Sequence, residues 1–193
     1  MTTCACLAVV SLALAPALEP DAAKLTRSPL SVVFSPHGSR LFVSDFTAGR
    51  LYIVGVSAQR VTVEVSLRGK PGGICVDPEG RRLYVAEYDA GTVAEVDASS
   101  ARVLRRLSTG LRPMGVALAP RRRLLLAANT VEDDVSIVSL SSGEPVGRVP
   151  VPREPFFLAV TPDESLAIVG NLLPAGAASD ADHSAAVSLI DLE

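Results

Sequence analysis

A chain of 193 residues is long for a single small module and short for two ordinary domains. Its 48% apolar and 20% charged residues exclude a disordered tail, and a net charge of −3 excludes a general nucleic-acid binder. Gly and Pro, 14 of each, demand frequent turns, while aromatic residues make up only 4% and Trp is absent.

The chain opens with Met1-Thr-Thr-Cys-Ala-Cys6 and an apolar run from Leu7 to Ala15, and no charge precedes Glu19. Residues 1–17 read as a signal peptide, with Ala13-Leu14-Ala15 as a small-x-small cleavage pattern. The run is shorter than the roughly 20 residues that cross a bilayer, so no transmembrane segment is expected. The n-region carries no Lys or Arg, and a competing reading makes this segment a strand of a longer protein. A signal places the protein in the periplasm or outside the cell. Residues 18–26 follow as a linker or a closing strand, although Glu19-Pro20-Asp21 makes a poor strand. Cys4 and Cys6 would leave with the signal. Cys75 lies between Ile74 and Val76 and reads as a small apolar strand residue. No Cys-x-x-Cys-His occurs, and no cofactor is expected.

Proline positions expose an internal repeat. Pro29, Pro71, Pro113 and Pro155 are 42 residues apart, and Pro36, Pro78, Pro120 and Pro162 share that step. After the first Pro of each unit comes an apolar run: Leu30 to Phe34, Gly73 to Val76, Met114 to Leu118, Phe156 to Val160. The second Pro opens a turn, as in Ser35-Pro-His-Gly38 and Asp77-Pro-Glu-Gly80. A second run follows, such as Leu83-Tyr-Val85, ended by Asp45, Glu87, Asn129 or Asn171. A third run follows a short loop, as in Leu51 to Val54 and Val135 to Val138, and a fourth, looser run appears in the first three units. Short β-branched runs between turns predict four antiparallel strands per unit, A to D. Four strands in about 42 residues is the arithmetic of a β-propeller blade. The fold class is therefore all-β, with four blades in an incomplete, open propeller: blade 1 over 27–69, blade 2 over 70–111, blade 3 over 112–153 and blade 4 over 154–193. The fourth blade has about ten extra residues between strands B and C and no strand D. In the third, Arg121-Arg122 stands where the others carry turn residues, which predicts a different or wider A–B turn.

The unit resembles the YVTN-type β-propeller repeat of bacterial and archaeal periplasmic and surface proteins. The second copy carries most of the likeness, in Pro71-Gly-Gly-Ile-Cys-Val-Asp-Pro-Glu-Gly80, Leu83-Tyr-Val-Ala-Glu87 and Gly91-Thr-Val-Ala-Glu-Val-Asp97. Leu125-Leu-Ala-Ala-Asn129 and Val187-Ser-Leu-Ile-Asp191 carry it in the third and fourth. The tetrapeptide degenerates to Phe42-Val-Ser-Asp45 and Ile168-Val-Gly-Asn171. The resemblance is specific for fold and nearly silent about activity.

In such a propeller the D–A and B–C loops share one face. That face would carry Arg27, Lys70, Arg112 and Arg153 beside Asp45, Glu87, Asp89, Asn129, Asn171, Glu132 and Asp133. Recurrent cations there fit an anionic ligand or a partner surface, or they are solvated charges pairing weakly with the carboxylates. Asp180, Asp182 and His183 in the insert are weak metal-ligand candidates beside a flexible-loop reading. His37 reads as a turn filler and Arg121-Arg122-Arg123 as a solvated tip. Neither Gly-x-Ser-x-Gly nor a phosphate-binding Gly loop is present. The leading expectation is a non-catalytic binding or scaffold propeller with a protein partner or small anionic ligand and no nucleic acid. The alternatives are part of a periplasmic enzyme, resembling sugar lactonases or amine dehydrogenases, and part of a haem-fused electron-transfer protein. The incomplete arc reads first as a fragment of a longer propeller, with an open half that pairs with another copy and a compact four-blade ring as alternatives; an open arc would expose apolar blade faces, which favours self-association.

Overall fold

The computed structural model describes residues 27–174 and 186–193. The signal reading, residues 18–26 and the Asp180, Asp182, His183 group lie outside the described residues. Every described element is a strand, and these form four antiparallel sheets joined in chain order. The first holds β1 (Pro29–Phe34), β2 (Arg40–Asp45), β3 (Arg50–Gly55) and β4 (Arg60–Ser66). The second holds β5 (Pro71–Val76), β6 (Arg82–Glu87), β7 (Thr92–Asp97) and β8 (Val103–Ser108). The third holds β9 (Pro113–Ala119), β10 (Leu124–Asn129), β11 (Asp134–Ser139) and β12 (Pro145–Pro150). The fourth has β13 (Pro155–Val160), β14 (Leu166–Asn171) and β15 (Val187–Asp191).

Each first strand begins on proline, whose missing N–H cannot join a ladder. The pairing of first with second strand is irregular at that end in all four blades, between Pro29 and Ser31 in β1 and between Pro155 and Phe157 in β13 for example. The second and third strands of the inner blades are buried on both faces, so they read as apolar runs and not as strict alternation. In the second and third blades one face meets the preceding blade and the other meets the next. Phe42, Leu51, Ile53 and Val65 of the first blade pack on Ile74, Leu83, Val85 and Val96 of the second. Tyr84, Val93 and Leu107 then meet Val116, Leu125 and Val138. Leu126 and Val135 meet Ala167, Val169 and Ile190. Burying one such side chain contributes about 1.5–3 kcal/mol. A lone blade has nothing to bury them against, so the stack is the folding unit.

The blades approach most closely along their first strands. A Cβ on Gly73 would lie 2.8 Å from the Met114 main-chain oxygen, and one on Gly115 would lie 2.4 Å from that of Phe156. The four first strands together line a groove of about 270 Å³. Among the described residues the sheets do not close into a ring, so they form an open, four-bladed β-propeller-like arc.

The A–B turns show why the third copy differs. Gly38, Gly80 and Glu164 occupy equivalent places with φ of 68°, 69° and 60°. In the third blade the left-handed residue moves one place on, to Arg123 at 57°, and its N–H bonds Pro120. Strand β9 runs one residue longer in consequence.

Candidate functional site

The D–A and B–C loops lie side by side at one face and are stitched by main-chain bonds that repeat with the blade. Phe46, Tyr88, Thr130 and Leu172 donate their N–H groups to Ser28, Lys70, Arg112 and Glu154. The residue ending each second strand caps this stitch. The Asp45 carboxylate accepts the Ser28 N–H at 3.0 Å. Glu87 accepts the Arg68 N–H at 2.7 Å, and Asn129 accepts the Gly110 N–H at 3.0 Å. Arg68 and Gly110 are 42 residues apart, and the next residue in that series is Pro152, which has no N–H to give. Among the described residues Asn171 Oδ1 is accordingly buried without a partner, while its amide donates to the Ala186 oxygen and the Ser188 hydroxyl.

Asp45, Glu87, Asn129 and Asn171 therefore sit at the predicted face but point inward. All four are buried. Glu87 also takes a two-pronged contact from Arg106, at 2.8 and 3.1 Å, and the Thr92 hydroxyl at 2.8 Å. Their repetition reflects loop anchoring, and none of them presents its carboxyl or amide to solvent. The exposed acids are occupied as well. Asp89 accepts the Lys70 N–H, and Asp133 accepts the Glu154 N–H. The Leu111 N–H first, and then Arg148, hold the Glu132 carboxyl below its ordinary range.

The cations behave in the opposite way. Among the described residues no carboxylate lies within ion-pair distance of Arg27, Lys70, Arg112 or Arg153. Three of them rest on aromatic rings: Lys70 Nζ is 5.4 Å from the Phe46 centroid, Arg112 is 5.4 Å from that of Tyr88, and Arg27 is 5.7 Å from that of Tyr52. The Phe46 and Tyr88 rings meet edge to face at 5.4 Å. Two B–C loop aromatics and two D–A loop cations thus form one continuous strip across blades 1 to 3. A cleft lined by Tyr88, Asp89, Gly91, Leu111, Arg112 and Val131 continues it. Arg27 and Arg153 stand at the two ends of the loop row and are not part of this strip. The strip escapes a search for charge alone; its signal was an aromatic directly after Asp45 and Glu87, each one blade-step apart.

The opposite face holds groups not singled out by the sequence. Glu95 occupies the place of Ile53 and Ile137, yet it is buried, between Arg82 at 3.4 Å and Arg105 at 2.6 Å. It lines a cleft with Asp77, Tyr84, Arg105 and Arg123. Burial first, and then the Glu95 charge, push the Tyr84 hydroxyl well above its ordinary value. Both Glu95 oxygens are taken by guanidinium groups. Arg121-Arg122-Arg123 is not simply a solvated tip. The Arg121 and Arg122 N–H groups each donate at 3.1 Å to the carboxylate of Glu164 in the next blade. His37 is exposed in its turn, and Cys75 is half-buried on β5, where burial raises its thiol well above the usual range. Among the described residues no group of His, Cys, Asp and Glu has the arrangement to hold a metal ion, and no helix is long and apolar enough to cross a membrane.

No family model matches the chain, and no curated protein matches it. Solved structures do resemble it. Hydrazine synthase of Kuenenia stuttgartiensis superposes with a TM-score of 0.75 at 23% identity, over 84% of this chain and 46% of that one. A functionally unknown protein from Desulfotomaculum acetoxidans superposes with a TM-score of 0.65 at 14% identity, over 76% of this chain and 50% of its own. The chain spans about half the length of these structures. At such identities the likeness establishes the β-propeller-like fold and nothing of the chemistry.

Proposed function

We propose that the chain is a non-catalytic binding module of the YVTN-repeat type, acting outside the cytoplasm, whose D–A/B–C loop face takes an anionic ligand. The observation that carries this reading is the strip Lys70, Phe46, Tyr88, Arg112. Its cations lack carboxylate partners while every acid beside them is engaged. Each ring face holds one cation, the Lys70 ammonium or the Arg112 guanidinium, at about 0.5–1 kcal/mol and leaves its charge to face solvent. An acidic peptide or a small anion with a planar group would meet both features, charge on the cations and stacking on the ring faces. The chain as a whole is acidic, with a net charge of −3. Anion binding must then be local to the strip and weaken with added salt.

The test uses a fluorescent poly-glutamate peptide as probe. Wild-type chain is expected to bind it, with affinity falling as salt rises. The Lys70→Ala/Arg112→Ala double variant is expected to lose about tenfold or more in affinity, whereas Arg60→Ala, at an exposed site on the other end of the blade, leaves it unchanged. Equal binding by both variants, or salt-independent binding, would overturn the assignment.

A further inference from the structure

Residues 42 apart hold the same place in successive blades, so the three junctions of the loop face can be compared place by place. Each junction presents one D–A loop N–H, that of Lys70, Arg112 or Glu154, between two B–C loops. Two B–C places can put a carboxylate on it. One ends the loop of the preceding blade and is held by Gly49, Gly91 and Asp133 in turn. The other lies in the loop of the following blade and is held by Asp89, Val131 and Leu173. At the first junction Asp89 Oδ2 accepts the Lys70 N–H at 3.2 Å. At the third Asp133 Oδ1 accepts the Glu154 N–H at 2.8 Å. At the second, Gly91 and Val131 bring no carboxylate to either place, and among the described residues nothing accepts the Arg112 N–H.

The backbone of the second junction is nevertheless that of the third. Arg112 and Glu154 are left-handed at φ 56° and 54°, and Gly91 and Asp133 at 65° and 52°. Gly91, Val131 and Arg112 line one cleft of about 470 Å³ with Tyr88 and Leu111. This cleft is apolar as well as cationic, because Leu111 is 57% and Val131 50% exposed. Their counterparts at the first junction are Gly69 and Asp89, so bare apolar side chains stand beside the loop cation at the second junction and not at the first.

We infer that this cleft takes the free C-terminal end of a peptide whose last residue is large and apolar, which rests on the reading of the loop face as an anion site. The terminal carboxylate takes the place that the Asp133 carboxylate has at the third junction. It accepts the Arg112 N–H, and the Arg112 guanidinium adds charge to the bond. Main-chain N–H groups in such turned loops are recurrent captors of a terminal carboxylate. Leu111 and Val131 meet the last side chain. A terminal carboxylate carries its apolar side chain on the neighbouring carbon, whereas an Asp or Glu side chain presents its carboxylate at the tip and brings no apolar group with it. Acidic side chains earlier in the peptide then meet Lys70, further along the strip.

The test measures binding of N-terminally labelled, glutamate-rich peptides to the full chain. One ends in leucine with a free carboxylate, one is the same peptide as its terminal amide, and one ends in serine with a free carboxylate. The free acid ending in leucine is expected to bind about tenfold more tightly than its amide. It is expected to bind about fivefold more tightly than the serine form. Gly91→Asp sets at the second junction the carboxylate that Asp133 provides at the third, in a conformation Asp133 already adopts. It is expected to bring the ratio of free acid to amide to about one, by weakening the free acid far more than the amide. The Leu111→Ser/Val131→Ser double variant changes exposed side chains only. It is expected to remove the preference for leucine over serine and to keep that for acid over amide. A wild-type chain that binds poly-glutamate but treats acid and amide alike, or leucine and serine alike, would overturn this inference and leave the anion reading of the loop face standing. A chain that binds neither poly-glutamate nor these peptides would overturn both. An unchanged ratio of acid to amide in Gly91→Asp would overturn the place assigned to the carboxylate, and N-acetyl-leucine competing as well as the whole peptide would overturn the peptide as ligand.

Discussion

Asn171 and Pro152 show how one residue type can break a repeated bond. In the second and third blades an N–H 19 residues upstream satisfies the residue that ends the second strand. Proline at the corresponding place leaves a buried oxygen bare, and such a group costs roughly 1–3 kcal/mol. Pro152→Ala restores the donor and loosens the unfolded chain by about 0.4–1 kcal/mol. The bond should outweigh the entropy, so the variant is expected to be about 1 kcal/mol more stable, a rise of about 2–4 °C in Tm for a chain of this size. A lower melting temperature for Pro152→Ala would mean that the restored N–H does not reach Asn171. The same residue scale explains the fate of the acidic candidates. Asp45, Glu87 and Asn129 repeat because each blade needs an acceptor for its own entry loop. From sequence, a repeated acceptor looks alike whether it anchors a loop or meets a ligand.

At the scale of elements, the strands were the most legible part of the chain. Proline at two fixed phases marks the irregular start of each first strand and the turn after it, and the apolar runs between them leave no room for helices. The A–B turn of the third blade was legible only as a difference, because two arginines say nothing of which residue takes the left-handed conformation. Its outcome depends on the neighbouring blade. Glu164, buried and itself left-handed at φ 60°, receives the N–H groups of Arg121 and Arg122. Burial raises its pKa, yet those N–H groups and the Arg121 charge outweigh burial and hold it below the ordinary value. A carboxyl with a lowered folded pKa adds stability that is fully present above its unfolded value, near 4.3. That stability is lost as pH falls through the folded value. Asp163, held at about 2 by the Thr161 hydroxyl first and then by Ser165, adds to the same slope. Melting temperature is therefore expected to fall below about pH 4.5. Glu164→Gln should melt lower than wild type at pH 7 and lose less on acidification. A parallel pair of pH curves would show that Glu164 does not carry the slope. Glu95 marks the limit of pattern reading in the same way: a carboxylate at an isoleucine place is visible in the repeat, but only the two arginines on the flanking strands of its own blade, Arg82 on β6 and Arg105 on β8, explain why it is tolerated.

For the whole molecule, the repeat makes equivalent residues into a controlled comparison. Val93 and Val187 hold one place in the third strand of their blades, and they differ in cover, 0% against 67% exposed. Side-chain chemistry is therefore matched, and the cover differs: a following blade and a fourth strand lie beside Val93, and among the described residues neither lies beside Val187. Asp at Val93 would bury an unpaired carboxylate between the second and third blades, a change of the kind that costs several kcal/mol. The chain is expected to lose its cooperative melt, because the second and third blades carry the middle of the stack and each blade is stable only through its neighbours. Asp at Val187 is solvated within a single chain, so at high dilution its stability should stay within about 0.5 kcal/mol of wild type. Thermal melts of the two variants check this: an equal loss of stability in both would show that cover by the next blade does not set the cost.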